Sequence, residues 1–250
     1  MRKENQLLIE IQNAIKQSIS DKKIGIAFSG GVDSTLISKI CSELGYDITL
    51  LTIGFSNSHD ILFAKEVNKF LHYIHKISEI DQMYFDETVS KINKKINTDN
   101  LSWNENCIAF YYVARLANNL GIKTVVTANG IDELFCGYNA YREAIGEGEN
   151  KVQELMNSKL ENEHKMMQAV NDVTSEFSVK ILQPLLSEKF IQYAKTIPIS
   201  EKIKGKDDLL RKHIIRKLAS ELGIPEISAT KRKKALQYGS LIHKALLKSR

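Results

Sequence analysis

Residues that form covalent or metal cross-links are scarce in this sequence. Its three cysteines, Cys41, Cys107 and Cys136, are odd in number, far apart and never in CxxC spacing. This pattern argues against both a disulfide framework and a zinc site. We expect reduced, mostly buried thiols.

Long apolar runs are also missing. No stretch approaches the apolar length of a membrane span, and the N-terminal Met-Arg-Lys-Glu-Asn lacks the apolar core of a signal peptide. The apolar fraction of 43% and the charged fraction of 26% are ordinary for a soluble protein. We therefore expect a cytoplasmic protein without a membrane partner.

Proline-rich and glycine-rich linkers, internal repeats and low-complexity tracts are absent as well. The 250 residues suit one large α/β domain or one domain with an appendage. We expect an N-terminal helix in residues 1–20, an α/β core in 21–148 and a helical portion packed on it in 149–250. No strand pattern is visible after Asn150.

Four apolar segments alternate with helical patterns in the first part of the chain. This alternation predicts a doubly wound parallel sheet. The predicted strands are roughly 24–28, 47–55, 72–77 and 123–128. Helical spacing in the last part predicts helices at roughly 150–173, 187–196, 207–222 and 240–248.

A glycine turn follows the first predicted strand and opens a helix. Glycines let the backbone bend or approach a ligand closely, and the first turn of a helix favours an anion. The turn has the outline of a phosphate site, although a plain strand-to-helix turn is the alternative. The predicted phosphate loop comprises Ser29, Gly30, Gly31, Asp33 and Ser34.

Two aspartates follow different predicted strands. Asp33 lies in the phosphate loop, and Asp132 comes shortly after the fourth strand. Mg²⁺ takes one or two carboxylates together with phosphate oxygens and water. The sequence therefore indicates Mg²⁺ as a cofactor, with Asp33 and Asp132 as metal ligands.

Several motifs resemble those of a known family. Ser-Gly-Gly-Val-Asp-Ser at 29–34 resembles the pyrophosphate loop of the N-type ATP pyrophosphatases, which split ATP into AMP and pyrophosphate. Gly-Ile-Asp-Glu-Leu-Phe-Cys-Gly-Tyr at 130–138 is similar to a signature of the asparagine synthetase family. Segments 51–60, 182–198 and 231–240 resemble further parts of that family's synthetase domain, in consistent order.

This resemblance implies an adenine nucleotide alpha-hydrolase-like fold and an AMP-forming ligase with ATP and Mg²⁺ as cofactors. Such an enzyme adenylylates a carboxylate, aspartate or a similar compound, and converts it to an amide. By the same resemblance, the phosphate loop would hold pyrophosphate, and Lys233 would be the catalytic lysine, with Lys234 as the nearest rival. Adenosine would be surrounded by Phe28, Ile53, Gly54, Thr127 and Ala128.

The sequence also departs from the family. Asn129 occupies a catalytic position where bacterial asparagine synthetases have a glutamate, and an amide cannot accept a proton as a carboxylate does. Ser187 replaces the aspartate of the family's Pro-Phe-Leu-Asp segment. The chain begins with no cysteine nucleophile and no room for a glutaminase domain before Ile24. We therefore expect ammonia, an amine or a separate glutaminase subunit to supply nitrogen.

Charge is unevenly distributed along the chain. Residues 201–250 contain 14 Lys and Arg against 5 Asp and Glu, so they carry +9 while the remainder carries −4. This suits a polyphosphate ligand and would equally suit nucleic acid. Two alternatives stay open: adenylylation of a nucleobase or tRNA, and a nucleotide-binding subunit whose partner is the enzyme. No separate RNA-binding module is visible, so nucleic acid is not the expected partner.

Overall fold

The computed structural model describes residues 2–230 and 236–248. At the centre of the described chain lies a five-stranded parallel sheet with the strand order β3-β2-β1-β4-β5. The strands are β1 (Lys23–Ala27), β2 (Asp47–Gly54), β3 (Ile74–Glu79), β4 (Thr124–Val126) and β5 (Lys180–Leu182). Ile26 of β1 lies between Leu50 of β2 and Val126 of β4.

Helices connect the strands and complete the described chain. They are α1 (Lys3–Ser18), α2 (Val32–Glu43), α3 (His59–Leu71), α4 (Gln82–Ile96), α5 (Leu101–Asn119), α6 (Ile131–Leu134), α7 (Ala140–Glu147), α8 (Glu149–Thr174), α9 (Glu188–Thr196), α10 (His213–Glu221), α11 (Glu226–Ala229), α12 (Leu236–Gly239) and α13 (Ile242–Lys248). Single 3₁₀ turns occupy Ser175–Phe177, Pro184–Leu186 and Ile199–Glu201.

The chain reverses its direction across the sheet at β1, as a doubly wound fold does. Parallel crossovers are right-handed, so α2 and α3 cover one face while α5 and α8 cover the other. In agreement, α2 packs against α1 and α10, and α5 packs against α8. The predicted doubly wound parallel sheet is confirmed. Its switch point lies between β1 and β4, where open α/β sheets bind ligands beyond the carboxyl ends of the strands.

Burial explains the residue pattern of the strands. β2 is buried at every position after Asp47, because neighbouring strands and helices cover it. β3 lies at the sheet edge and has no buried residue. On α1, the residues Leu7, Ile11 and Ile15 lie on one face and are fully buried. This amphipathic helix forms where the N-terminal helix is predicted, and it packs against α9 and α10.

Three expectations about secondary structure are wrong in detail. A fifth strand, β5, forms after residue 150 and pairs with β4, so the sheet extends into the portion expected to be helical. A three-residue edge strand is too short to show a period of two. The helix expected from residue 207 begins at His213, and the strand expected from residue 72 begins at Ile74. The boundary at 148 stays a prediction.

No helix within residues 2–230 and 236–248 combines the length and the apolar character needed to cross a membrane.

Candidate active site

A cavity of about 290 Å³ opens at the carboxyl ends of β1 and β4, at the switch point of the sheet. The structure describes twelve of the site residues that the sequence predicts, and ten of these line the cavity. They are Phe28, Ser29, Gly31, Asp33, Ser34, Ile53, Thr127, Ala128, Asn129 and Asp132. The sheet topology therefore brings together residues from three strand ends that are far apart in the sequence.

Gly30 and Gly54 do not line the cavity and instead allow close packing behind it. Gly30 has a positive φ of 75°, and a Cβ there would lie 3.2 Å from the Cα of Ala64 in α3. A Cβ on Gly54 would lie 2.4 Å from Ser58 Oγ. Both glycines thus support the site through backbone approach rather than by facing a ligand.

Internal hydrogen bonds shape the phosphate loop. The Ser29 amide donates to Ser34 Oγ at 3.3 Å, and the Gly31 amide donates to Ser29 Oγ at 3.4 Å. From the C-terminal part, the Ser228 hydroxyl donates to the Gly30 carbonyl at 2.7 Å. The loop leads directly into the 12-residue helix α2, whose N-terminal dipole favours a bound anion.

Asp33 and Asp132 converge on one cation, the side chain of Lys212. The Lys212 ammonium donates to Asp33 Oδ2 at 2.6 Å and to Asp132 Oδ1 at 3.1 Å. Its side chain is 2% exposed, and both carboxylates are largely buried. Three charges are therefore held together beside the phosphate loop. A buried ion pair of this kind requires such multiple contacts to offset desolvation.

The two carboxylates also fit a magnesium site. Both carboxylates contact the same cation, the Lys212 ammonium. The other Asp33 oxygen, Oδ1, is buried without a hydrogen-bond partner in the described part of the chain. Residues 2–230 and 236–248 contain no group of three or more His, Cys, Asp or Glu side chains that could hold a metal. Two carboxylates suffice for Mg²⁺ when phosphate oxygens and water complete the coordination.

Arg216 adds a second buried cation to this end of the cavity. It lines the cavity and is 8% exposed. Its guanidinium donates to the Leu210, Arg211 and Ala229 carbonyls. Burial lowers the pKa of Arg216, while the nearby Asp33 carboxylate opposes this shift. Lys212 and Arg216 therefore place two buried cations beside the Asp33 and Asp132 carboxylates.

Asn129 lines the same cavity and lies beside a carboxylate from α8. Its side-chain amide donates to Glu163 Oε1 at 2.5 Å and approaches Met167 Sδ at 3.8 Å. Glu163 is 5% exposed and also lines the cavity. The buried Glu163 carboxylate thus lies next to the Asn129 side chain, which itself carries only an amide.

Glu133 stabilises the local structure of the segment that carries Asp132. It accepts a hydrogen bond from the Gly130 amide at 3.0 Å and another from the Tyr138 hydroxyl. Burial first, and then the Glu133 charge, raise the pKa of Tyr138 well above its usual value. The Lys159 ammonium lies 5.3 Å from the Tyr138 ring centroid, and both side chains line the cavity.

The predicted adenosine wall is held from behind by β2 and β3. The Thr52 hydroxyl donates to the Phe28 carbonyl at 2.6 Å, so His75 Nε2, 2.8 Å away, must donate to Thr52. Burial lowers the pKa of His75 to about 4, which keeps the ring neutral near pH 7. The Phe28 ring meets the His75 ring edge to face.

Lys233 and its rival Lys234 lie outside the described residues. The chain is described again from α12, where Leu236 and Gln237 line the cavity. The Ser240 carbonyl accepts a hydrogen bond from the Phe55 amide at 3.0 Å and so ties this segment to the end of β2. The C-terminal flank of the basic segment is therefore held at the cavity.

Lys212, Arg216 and Glu163 were not identified from the sequence. Lys212 and Arg216 fall within a segment expected to be one continuous helix, where lysine and arginine usually face solvent. The positive charge of residues 201–250 was the one signal that pointed to them. Glu163 is one of many polar residues on α8, and no sequence signal distinguishes it.

Comparisons with known proteins identify the family of this chain. The family model described as asparagine synthase matches residues 6–176. A putative glutamine-hydrolyzing asparagine synthetase of Methanocaldococcus jannaschii is 30% identical over 266 residues, covering 92% of this chain and 49% of the relative. The glutamine-hydrolyzing asparagine synthetase of Asparagus officinalis is 26% identical, covering 81% of this chain and 36% of the relative.

The chain therefore spans about half or less of the length of these relatives. Among solved structures, NMN synthetase from Francisella tularensis has a similar fold, with a TM-score of 0.53 and 16% identity over 95% of this chain and 78% of that chain. This likeness concerns the α/β fold alone. Because the asparagine synthase model matches well over half of its residues, the chain belongs to the asparagine synthase family.

Proposed function

We propose that this chain is an ATP-dependent ligase that joins a carboxylate to ammonia or an amine and forms AMP and pyrophosphate. One observation carries the proposal: Asp33, Asp132 and Lys212 converge beside the phosphate loop in a member of the asparagine synthase family. This arrangement combines two carboxylates suited to Mg²⁺, a buried cation and a helix N-terminus that favours an anion. Such groups stabilise a leaving pyrophosphate.

In the first half-reaction, a carboxylate oxygen of the substrate attacks the α-phosphorus of ATP, and pyrophosphate leaves. The N-terminal dipole of α2 and the cations Lys212 and Arg216 stabilise the charge of the leaving group. Mg²⁺ held by Asp33 and Asp132 would neutralise phosphate charge. The role of Lys233 at the transferred phosphoryl group stays a proposal that rests on the family resemblance. The product is an acyl-adenylate.

In the second half-reaction, the nitrogen nucleophile attacks the acyl carbon, and AMP leaves. The attacking nitrogen must lose a proton, and the Asn129 amide cannot accept it. Glu163 can, because its carboxylate lines the same cavity and lies 2.5 Å from the Asn129 amide nitrogen. We assign Asn129 to the orientation of Glu163 and Glu163 to the acceptance of the proton.

The identity of both substrates is part of the proposal. The relatives named above are asparagine synthetases, which makes aspartate the first carboxylate to test. Those relatives are described as glutamine-hydrolyzing, and this chain matches only part of their length. We propose ammonia, either free or released from glutamine by a glutaminase, as the nitrogen source.

The test is a pyrophosphate-release assay with ATP and Mg²⁺ across a panel of amino acids, each with and without ammonium. The proposal predicts AMP and pyrophosphate in equal amounts, together with an amide product that requires ammonium. Asparagine formed from aspartate would identify the substrate. Turnover that requires RNA and falls steeply with salt would instead favour the tRNA alternative. If the chain binds ATP but releases no pyrophosphate with any substrate, the result would favour the alternative of a nucleotide-binding subunit whose partner is the enzyme.

Glu163→Gln separates the two half-reactions. Glutamine keeps an oxygen for the Asn129 amide but loses the charge. We expect ATP–pyrophosphate exchange to persist while amide formation falls about 100-fold, the scale of a lost general base. Glu161→Gln is the matched control, since Glu161 is an exposed α8 residue that pairs with Lys165. Equal loss of both half-reactions in Glu163→Gln would contradict the assignment.

A further inference from the structure

A strained turn places Lys212 in the cavity. Arg211 and Lys212 both adopt left-handed backbone conformations, with φ values of 52° and 54°. Residues with a Cβ rarely adopt this conformation, and two in succession require other contacts to hold them. α10 begins directly afterwards, at His213. The Lys212 side chain leaves the backbone at the strained position and reaches Asp33 and Asp132.

Asp208 holds this turn. Its Oδ1 accepts the amides of Leu210 at 3.1 Å and Arg211 at 3.0 Å. Its Oδ2 accepts the Lys204 amide at 2.9 Å and lies 2.6 Å from His213 Nε2. One carboxylate therefore ties together both ends of the segment from 204 to 213.

The Asp208 side chain is nearly enclosed by these contacts. It is 7% exposed. Burial raises its pKa, but the Arg211 and Lys204 amides and His213 outweigh burial, so the pKa is lowered to about 2. The charged carboxylate is thus the form that the turn stabilises.

Arg211 fixes the turn to the segment that carries Asp132. Its Nε and Nη2 donate to the Gly137 carbonyl at 3.3 and 3.1 Å, and the residue is 5% exposed. Gly137 lies directly against the Asp132 side chain. The turn and the metal-binding carboxylate therefore share one anchoring point.

We infer that Asp208 is a positioning residue that aims the Lys212 ammonium at the phosphate end of the cavity by holding the left-handed turn at Arg211 and Lys212. Asp208 does not line the cavity itself. This inference rests on the proposed function for its effect on turnover. Its effect on ATP binding and on the exposure of Lys212 is independent of that function.

The first test compares Asp208→Ala with Asp207→Ala, the matched control, because Asp207 is the neighbouring carboxylate and is exposed. We expect Asp208→Ala to weaken binding of Mg²⁺·ATP about tenfold by calorimetry, which corresponds to about 1.4 kcal/mol, while Asp207→Ala leaves it unchanged. Asp208→Asn keeps one acceptor oxygen for the Leu210 and Arg211 amides, so its effect should be smaller. Unchanged ATP binding in Asp208→Ala would overturn the inference.

A double-mutant cycle separates positioning from general structural support. If Asp208 acts through Lys212, Asp208→Ala should have no further effect on ATP binding once Lys212→Ala is present. Equal effects in both backgrounds would show that Asp208 does not act through Lys212 and would overturn the inference.

Acylation of Lys212 by acetic anhydride, followed by mass spectrometry, is the structural readout. The 2% exposed side chain should react slowly in the wild-type protein and faster in Asp208→Ala. Equal rates in both proteins would also contradict the inference. A wild-type protein that binds ATP without releasing pyrophosphate from any substrate would instead refute only the proposed ligase activity.

Discussion

At the scale of single residues, the site depends on close backbone approach as well as on charged side chains. The sequence supplied Asp33, Asp132 and Asn129 as candidates. It did not supply the residues that contact them, because Lys212 and Glu163 are distant in sequence and carry no local motif. Each proposed role therefore involves a residue that a sequence motif identifies and a contacting residue that only the folded chain brings near it.

Gly137 gives a prediction at this scale. A Cβ at position 137 would lie 1.8 Å from Asp132 Oδ1 and 2.8 Å from Asp132 Cα, so it would displace both the carboxylate and its backbone. We expect Gly137→Ala to reduce pyrophosphate release about 100-fold, as misplacement of a catalytic group by about 1 Å does. Steady-state pyrophosphate assays measure this loss.

Gly146→Ala is the matched control for this substitution. A Cβ at position 146 would meet only Lys206 Cδ, at 3.8 Å, and the residue lies within α7. Alanine favours a helix more than glycine does, so Gly146→Ala should keep activity and add up to about 1 kcal/mol of stability. Full activity in Gly137→Ala would show that Asp132 tolerates displacement.

At the scale of elements, the C-terminal helices close one side of the cavity. α12 contributes Leu236 and Gln237 to the cavity wall, and α13 is held to α5 by a partly buried pair in which His243 Nδ1 lies 2.5 Å from Glu105 Oε1. Glu105 is 2% exposed. This pair therefore fixes the end of the segment that follows the predicted catalytic lysine.

His243→Ala should loosen this attachment. Loss of the imidazole removes the described partner of a buried Glu105 oxygen, which destabilises the fold by about 1 to 3 kcal/mol. Because α12 precedes α13 directly, we also expect a higher KM for ATP. Urea unfolding and initial rates measure the two effects, with the exposed neighbour Lys244→Ala as the control. Unchanged stability together with unchanged KM would show that packing alone holds α13.

At the scale of the whole molecule, one buried lysine makes stability depend on pH. Lys202 is fully buried, and its ammonium donates to the Ala194 carbonyl at 2.7 Å and lies 5.6 Å from the Phe135 ring centroid. Burial lowers its pKa from 10.5 to about 8. Near pH 7 the folded protein must therefore hold an ammonium that water would solvate better.

The sign of the effect follows from this lowered pKa. The unfavourable contribution is complete below about pH 8 and disappears as the pH rises towards 10.5, so it opposes folding at neutral pH. Its size is on the order of 3 kcal/mol. We expect Lys202→Met to be more stable relative to the wild type at pH 7 than at pH 10, by urea unfolding. The same stability difference at both pH values would contradict a lowered pKa.

Much of the architecture followed from the sequence. The apolar strands, the phosphate loop at 29–34 and the alternation of strands and helices are local patterns, and local patterns encode local conformation. Parallel strands place their carboxyl ends on one edge, so the approach of Asp33 to Asp132 could be expected as well. The strand β5 could not, because three residues carry too little pattern.

By itself, then, the sequence determined the central sheet, the phosphate loop and the two acidic residues that follow strand ends. The tertiary structure alone decided which side chains complete the site: Lys212, which is 179 residues from Asp33, and Glu163, which is 34 residues from Asn129. Contacts over such separations depend on the path of the whole chain, including the strained turn before α10, and no local pattern records that path.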